Sequence, residues 1–191
     1  LSTMDGDIAK RLRKLLEKQG IEFYFQSGVK QIDGNKVKFE RKGKEQTIEA
    51  EKILVATGRK ANIEGLQLDK AGVATDRRGI IVDDNMRTNV GHIFAIGDCN
   101  ARQMLAHAAS FQGFRAVNTI LGKSDNIHLD IMPAAVFTSP EAAGVGPTEE
   151  QCKEQGLEYK TFKGFYRANG RALSMEATEG MLKLIAAPDG K

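Results

Sequence analysis

The chain is poor in the residues that mark several protein classes: two cysteines, no tryptophan and four prolines among 191 residues, with an almost balanced charge. Cys99 and Cys152 lie far apart and form neither a Cys-x-x-Cys nor a Cys-x4-Cys pair. That excludes a disulfide-stapled secreted scaffold and a local redox motif, and reads as two unrelated thiols in a reducing, cytoplasmic compartment. His92, His107 and His128 have no metal-ligand spacing, so no metal site is expected. The excess of 28 Lys+Arg over 25 Asp+Glu is only +3, and the basic residues are scattered, which argues against nucleic acid as a partner. No apolar run approaches the roughly 20 residues of a membrane helix, and no signal-peptide pattern is present. Repeats and low-complexity tracts are missing, as are a P-loop, a G-x-S-x-G elbow, a zincin motif and a dinucleotide fingerprint. The run "GVGPTE", Gly144 to Glu149, approaches that fingerprint, but Pro147 and Glu149 break it.

What is present suits one large domain or parts of two, since 41% hydrophobic residues are enough for a buried core. "DIAKRLRKLLEKQG" carries Ile8, Leu12, Leu15 and Leu16 on one helical face, with Asp5 or Asp7 as N-cap and Gly20 as C-cap. "IEFYF" follows as a strand. Turns at Asp33-Gly34-Asn35 and Lys42-Gly43-Lys44 predict an antiparallel meander over 29–50. Ile53 to Ala56 is wholly apolar and predicts a strand buried on both faces. A loop-rich stretch with one hairpin, Ile80 and Val82 inward, leads to a strand at Ile93–Ile96 and then a helix from about Met104 that Gly122 stops. Beyond Asp130 the pattern becomes β-rich. Strands are expected in "PAAVFTS" and "EAAGVG" and at about 157–165, 172–175 and 181–186, with a short helix at Thr148–Gln155 whose Thr148 and Gln151 have capping-box spacing. The chain is expected to be a piece of a longer protein. It starts on Leu1, and Pro188-Asp189-Gly190 makes a hairpin turn with no return strand after it.

Three segments carry chemistry. "HIFAIGDCN" ends an apolar strand on Gly97-Asp98. There the glycine admits a close ligand, and the carboxylate, beyond the strand's carboxyl end, can accept hydrogen bonds from the hydroxyls of a sugar or sugar alcohol. A lone Gly-Asp reads first as a turn aspartate capping the next helix. "MLAH", Met104 to His107, opens an apolar helix whose first amides lack intrahelical partners and favour anionic or electron-rich groups, as any helix start does. His107 by itself reads as structural. "ILVATGR" ends a buried strand on small residues up to Gly58, which suits either the close passage of a nucleotide or a tight crossover.

With "ILVATGRKAN", "TNVGHIFAIGD", "MLAH", "PAAVFTSPEAAGVG" and "ANGRAL" in that order, the chain from about Asp5 onward resembles the two-dinucleotide-fold disulfide oxidoreductases, and most nearly the dihydrolipoamide dehydrogenase branch. The resemblance implies an α/β fold, part of a two-dinucleotide-fold flavoprotein followed by the start of an α+β dimer-interface domain. Residues 1–57 would be the second half of the NAD-binding domain, 58–129 the returning segment of the FAD-binding domain, and 130–191 the first part of the interface domain. It also implies that Asp98, beside Gly97, bonds the ribityl chain of FAD. The amides of Met104, Leu105, Ala106 and His107 would lie near the flavin ring and ribityl chain, Gly58 by the nicotinamide nucleotide, and Val29 near the NAD adenosine. The whole protein would be a homodimer that oxidises dihydrolipoamide on a carrier domain, through a redox-active disulfide and FAD to NAD. The family's redox cysteines, both glycine fingerprints and the acidic residue that selects NAD would precede Leu1, and its His-Glu pair would follow Lys191. No catalytic residue is therefore expected here, and the piece alone is expected to be apo and inactive, a structural or dimerisation module. Ala61 stands where the family usually has proline. A mercuric or glutathione reductase-like relative is the alternative substrate class.

Overall fold

The structure, a computed structural model, describes residues 3–190. The chain divides into two compact units.

The first unit comprises Leu1–Thr57, Thr138–Pro140 and Tyr159–Lys191. It opens with helix α1, Gly6–Lys18, which starts where the sequence places it: the Asp5 carboxylate accepts the Asp7 N–H at 3.0 Å. Leu12 and Leu15 are its buried residues, and Gly20, with φ +91°, turns the chain away. Strands β1 (Ser27–Asp33), β2 (Lys36–Arg41) and β3 (Lys44–Glu49) form the expected antiparallel meander. Its buried residue is Phe39, packed edge-on against Tyr24 with ring centroids 5.3 Å apart.

The second unit comprises Gly58–Phe137 and Glu141–Glu158. Its core is Val73, Ile80 and Ala95, lined by Ile63, Leu68, Val82, Val90, Ile93 and Cys99. The expected hairpin survives as the bridge between Thr75 and Ile80. Met86 is fully buried, and its carbonyl accepts the Ala95 N–H at 3.0 Å. A 3-10 turn at Gly97–Asn100 leads to helix α2, Ala106–Ile120, and Gly122 follows at φ +66°. Strands β4 (Ala134–Val136) and β5 (Ala142–Gly144) pair antiparallel. Helix α3, Glu149–Glu154, carries the anticipated capping box: Thr148 Oγ1 accepts the Gln151 N–H at 3.2 Å, and Gln151 Oε1 accepts the Thr148 N–H at 2.8 Å.

In the first unit the chain resumes with β6 (Lys160–Phe165), helix α4 (Gly170–Ser174) and β7 (Met181–Ala186), β6 and β7 pairing antiparallel. The Gly190 N–H closes the expected turn onto the Ala187 carbonyl at 2.9 Å.

Four strand expectations are corrected. Residues 172–175 lie in α4 and its C-cap rather than a strand, because the Asn169 side chain caps the Ala172 N–H at 3.0 Å and nucleates a helical turn. Ile53–Ala56 forms no ladder, and Leu54 is 89% exposed, since an apolar run becomes a buried strand only when neighbouring strands cover it. Ile21–Phe25 is likewise unladdered, and Ile93–Ile96 contributes one bridge, Phe94 to Arg87. Among the described residues no helix is long and apolar enough to cross a membrane.

Candidate cofactor-binding site

The strand-like run into Gly97 is fixed before Asp98 is reached. Ile80 donates its N–H to the Cys99 carbonyl at 2.8 Å, tying the hairpin to the turn. Gly79 makes that approach possible: a Cβ there would collide with the same carbonyl oxygen and lie 3.1 Å from Ala61 Cβ. Gly97 then adopts φ +75°, a conformation that L side chains rarely adopt, and a Cβ on it would sit 3.2 Å from Ala109 Cβ of α2. The turn therefore presses directly on the helix.

Inside this contact Gly97 is buried and Asp98 exposed. The Gly97 N–H donates to Gln112 Oε1 at 2.7 Å, and Asn100 Nδ2 donates to the same oxygen at 2.9 Å and to the Ala95 carbonyl at 3.0 Å. The polar groups of the turn are thus satisfied inward. Among the described residues the Asp98 side chain has neither hydrogen bond nor ion pair, leaving its carboxylate an open acceptor.

Helix α2 begins one step further on. Leu105 is its N-cap and supplies no side-chain hydrogen bond, so the first amides of the helix have no side-chain cap. Met104 and Leu105 are half-buried, and Ala106 and His107 exposed. His107 does have a structural partner: its Nε2–H donates to the Pro133 carbonyl at 2.8 Å, since a carbonyl oxygen only accepts. An open carboxylate and an uncapped helix start are a donor–acceptor set that fits a polyhydroxylated chain attached to an electron-rich ring, as in FAD.

Gly58 and Val29 are the remaining candidates. Gly58 is exposed at φ +109°, and a Cβ on it would meet open space. Val29, in the first unit, is 61% exposed in β1 opposite Phe39, at the start of a register shift. Sequence reasoning missed Gln112 and Asn100. The one available signal was a glutamine within a helical stripe of alanines, Ala108 and Ala116. Burial pushes the Cys99 thiol up, the neighbouring Asp98 charge adds to that, and its Sγ is spent on the Ile96 carbonyl at 3.2 Å, so it is a poor nucleophile. Among the described residues no group of His, Cys, Asp and Glu is placed to hold a metal ion.

Residues 1–113 match the family described as pyridine nucleotide-disulphide oxidoreductase, and residues 132–191 its dimerisation domain. A leghemoglobin reductase of Glycine max is 44% identical over 191 residues, covering 96% of this chain and 36% of that protein. A mitochondrial dihydrolipoyl dehydrogenase of Pisum sativum is also 44% identical, covering 96% of this chain and 38% of that one. The dihydrolipoyl dehydrogenase of Cupriavidus necator is 39% identical, covering 97% and 40%. The chain thus spans about two fifths of the length of these relatives. Among solved structures, LpdA from Mycobacterium tuberculosis superposes with a TM-score of 0.83 at 28% identity, covering 96% of this chain and 40% of that one. The HOCl-induced flavoprotein disulfide reductase RclA from Escherichia coli gives a TM-score of 0.80 at 27% identity, covering 99% and 44%. With its mixed helix-and-sheet fold and more than half its length matched, the chain belongs to the pyridine nucleotide-disulphide oxidoreductases.

Proposed function

We propose that this chain is part of an FAD-dependent dihydrolipoyl dehydrogenase, a homodimer that oxidises dihydrolipoamide on a carrier domain and passes the electrons to NAD. The observation that carries the reading is the open Asp98 carboxylate, held on a buried glycine turn beside an uncapped helix start. It is supported by relatives named dihydrolipoyl dehydrogenase at 39–44% identity.

In this reading residues 1–57 belong to the NAD-binding domain, 58–129 to the FAD-binding domain and 130–191 to the interface domain. FAD, when bound, relays an electron pair between a redox-active disulfide, carried elsewhere in the polypeptide, and the nicotinamide. This chain's own part is binding and orientation. Asp98 accepts hydrogen bonds from ribityl hydroxyls. The first amides of α2, Ala106 and His107 with Met104 and Leu105 before them, would hold the flavin, and their fixed dipoles would favour negative charge developing on it. Gly58 leaves backbone room for the nicotinamide nucleotide, and Val29 offers apolar surface to the adenosine. The compartment is read as cytoplasmic, in keeping with the free thiols Cys99 and Cys152.

The test is Asp98→Ala in the full-length protein. Loss of hydrogen bonds to a charged group, at about 1.5–3 kcal/mol, weakens FAD binding roughly 10- to 100-fold in an ultrafiltration titration. Unchanged flavin affinity removes Asp98 from the site.

A further inference from the structure

We propose that Gln112 is a positioning residue that sets the aim of the Asp98 carboxylate; this rests on the reading of Asp98 as the flavin-sugar acceptor. The 3-10 turn Gly97–Asn100 has no cap of its own, because its N-cap residue is Ile96, whose side chain cannot accept a hydrogen bond. Gly97 is buried, so water is a poor substitute for that acceptor. Gln112 reaches across from the second turn of α2 and provides it.

A single atom does this for both ends of the turn. Gln112 Oε1 receives the Gly97 N–H at 2.7 Å and the Asn100 carboxamide at 2.9 Å, so the first and last residues are pinned to one point with Asp98 between them. Asn100 extends the register in both directions. Its Nδ2 also donates to the Ala95 carbonyl at 3.0 Å, and its Oδ1 accepts the Arg102 N–H at 3.0 Å. The facing atom of Gln112 must be its oxygen, because the backbone N–H opposite is a donor.

Packing alone does not account for the residue. Gln112 is 2% exposed and lies between Ala108 and Ala116, where an apolar side chain would be buried without desolvating an amide. The carboxamide is explained by what it holds. Hydrogen bonds weaken steeply with angle and distance, so a turn freed to shift takes the Asp98 carboxylate out of reach of hydroxyls it otherwise meets.

The experiment compares Gln112→Leu, Gln112→Glu, Asp98→Ala and the Asp98→Ala/Gln112→Leu double variant in the full-length protein. It reads FAD dissociation from the recovery of free-flavin fluorescence and, separately, the Tm of the apoprotein. Gln112→Leu, which leaves the buried Gly97 N–H without an acceptor and the Asn100 carboxamide without one of its two oxygen acceptors, is expected to weaken FAD about 10-fold or more. Gln112→Glu keeps the acceptor and is expected to stay within about 3-fold of wild type, since both donors remain paired. If Gln112 acts through Asp98, the double variant is no weaker than about 2-fold below Asp98→Ala alone. Wild-type affinity in Gln112→Leu, with Asp98→Ala still weakened, overturns the role of Gln112 and leaves that of Asp98 standing. Wild-type affinity in Asp98→Ala overturns the reading beneath it. Additive losses in the double variant show that Gln112 does not act through Asp98 and also overturn the proposal. Should Gln112→Leu fail to fold, Gln112→Asn withdraws the carboxamide by about 1.5 Å. Weakened FAD binding at normal Tm then supports the proposal, and wild-type affinity sinks it.

Discussion

Lys183→Met tests the ion cluster that joins α1 to β7. The Lys183 side chain is 4% exposed, and its Nζ donates at 2.8 Å to both oxygens of Asp5 and to one of Asp7. Lys163 approaches Asp7 from β6 at 2.7 Å. Methionine matches the length of the lysine stem but abandons the carboxylates, of which Asp5 is only 13% exposed. Removing one partner from a buried pair costs about 3–5 kcal/mol, and the lower end applies here because Asp7 keeps Lys163. With an m-value of about 2 kcal/mol/M, the urea midpoint of the first unit falls by roughly 1.5 M. Asp5→Asn in the same background keeps the α1 cap but deletes a partly buried charge that has lost its Lys183 hydrogen bonds, so it recovers part of the loss. The pH dependence follows the same charges. The hydrogen bonds from Lys163 and then Lys183 hold the Asp7 carboxyl down from its ordinary 3.8 to about 2. Because the folded-state value is depressed, its stabilisation is fully present above about pH 4 and is lost as the pH falls towards 2. A shift of that size corresponds to at most ~2.5 kcal/mol, which solvent screening of a side chain 35% exposed reduces to about 1 kcal/mol. Urea titrations of wild type and Lys183→Met at pH 7 and pH 2.5 measure both effects. A Lys183→Met midpoint equal to wild type at pH 7, or further destabilised by Asp5→Asn, would refute the cluster's role.

Other outcomes follow from the second unit and the site. Arg115→Ala removes the Nε–H that the two Asp125 carboxylate oxygens share, at 2.9 and 3.0 Å, and the hydrogen bonds to the Asp84 and Ile127 carbonyls, and is expected to lower the chemical-denaturation midpoint. Gly79→Ala drives a methyl group into the Cys99 carbonyl and is expected to lower stability by about 1–3 kcal/mol; a neutral result would mean that the hairpin and the turn are not tightly joined. Cys99→Ser and Cys152→Ser in the full-length protein leave the turnover proposed for it intact, and loss of disulfide exchange in either would locate the redox pair inside this chain.

The sequence by itself determined the elements whose causes are local. The Asp5 cap and Gly20 bound α1, the Thr148–Gln151 reciprocal cap starts α3, and the two glycine turns set the meander. The motif order also led to the family that residues 1–113 and 132–191 match. Local signals failed where partners decide. An apolar Ile53–Ala56 cannot pair with itself, and the same letters that predict burial leave Leu54 in solvent. Asn169 redirects "ANGRAL" into a helix by one side-chain hydrogen bond that competes with any strand. In α2 the large apolar side chains Phe114, Val117 and Ile120 are exposed, and the buried stripe is Ala108, Gln112 and Ala116. Only tertiary structure buries Gln112 there, because its carboxamide oxygen meets the Gly97 N–H where the turn presses on Ala109. Asp98 was visible in the sequence as a carboxylate after a glycine. That its turn is held from α2, leaving the carboxylate open, depends on an atom 15 residues further along the chain and could be found only in the fold.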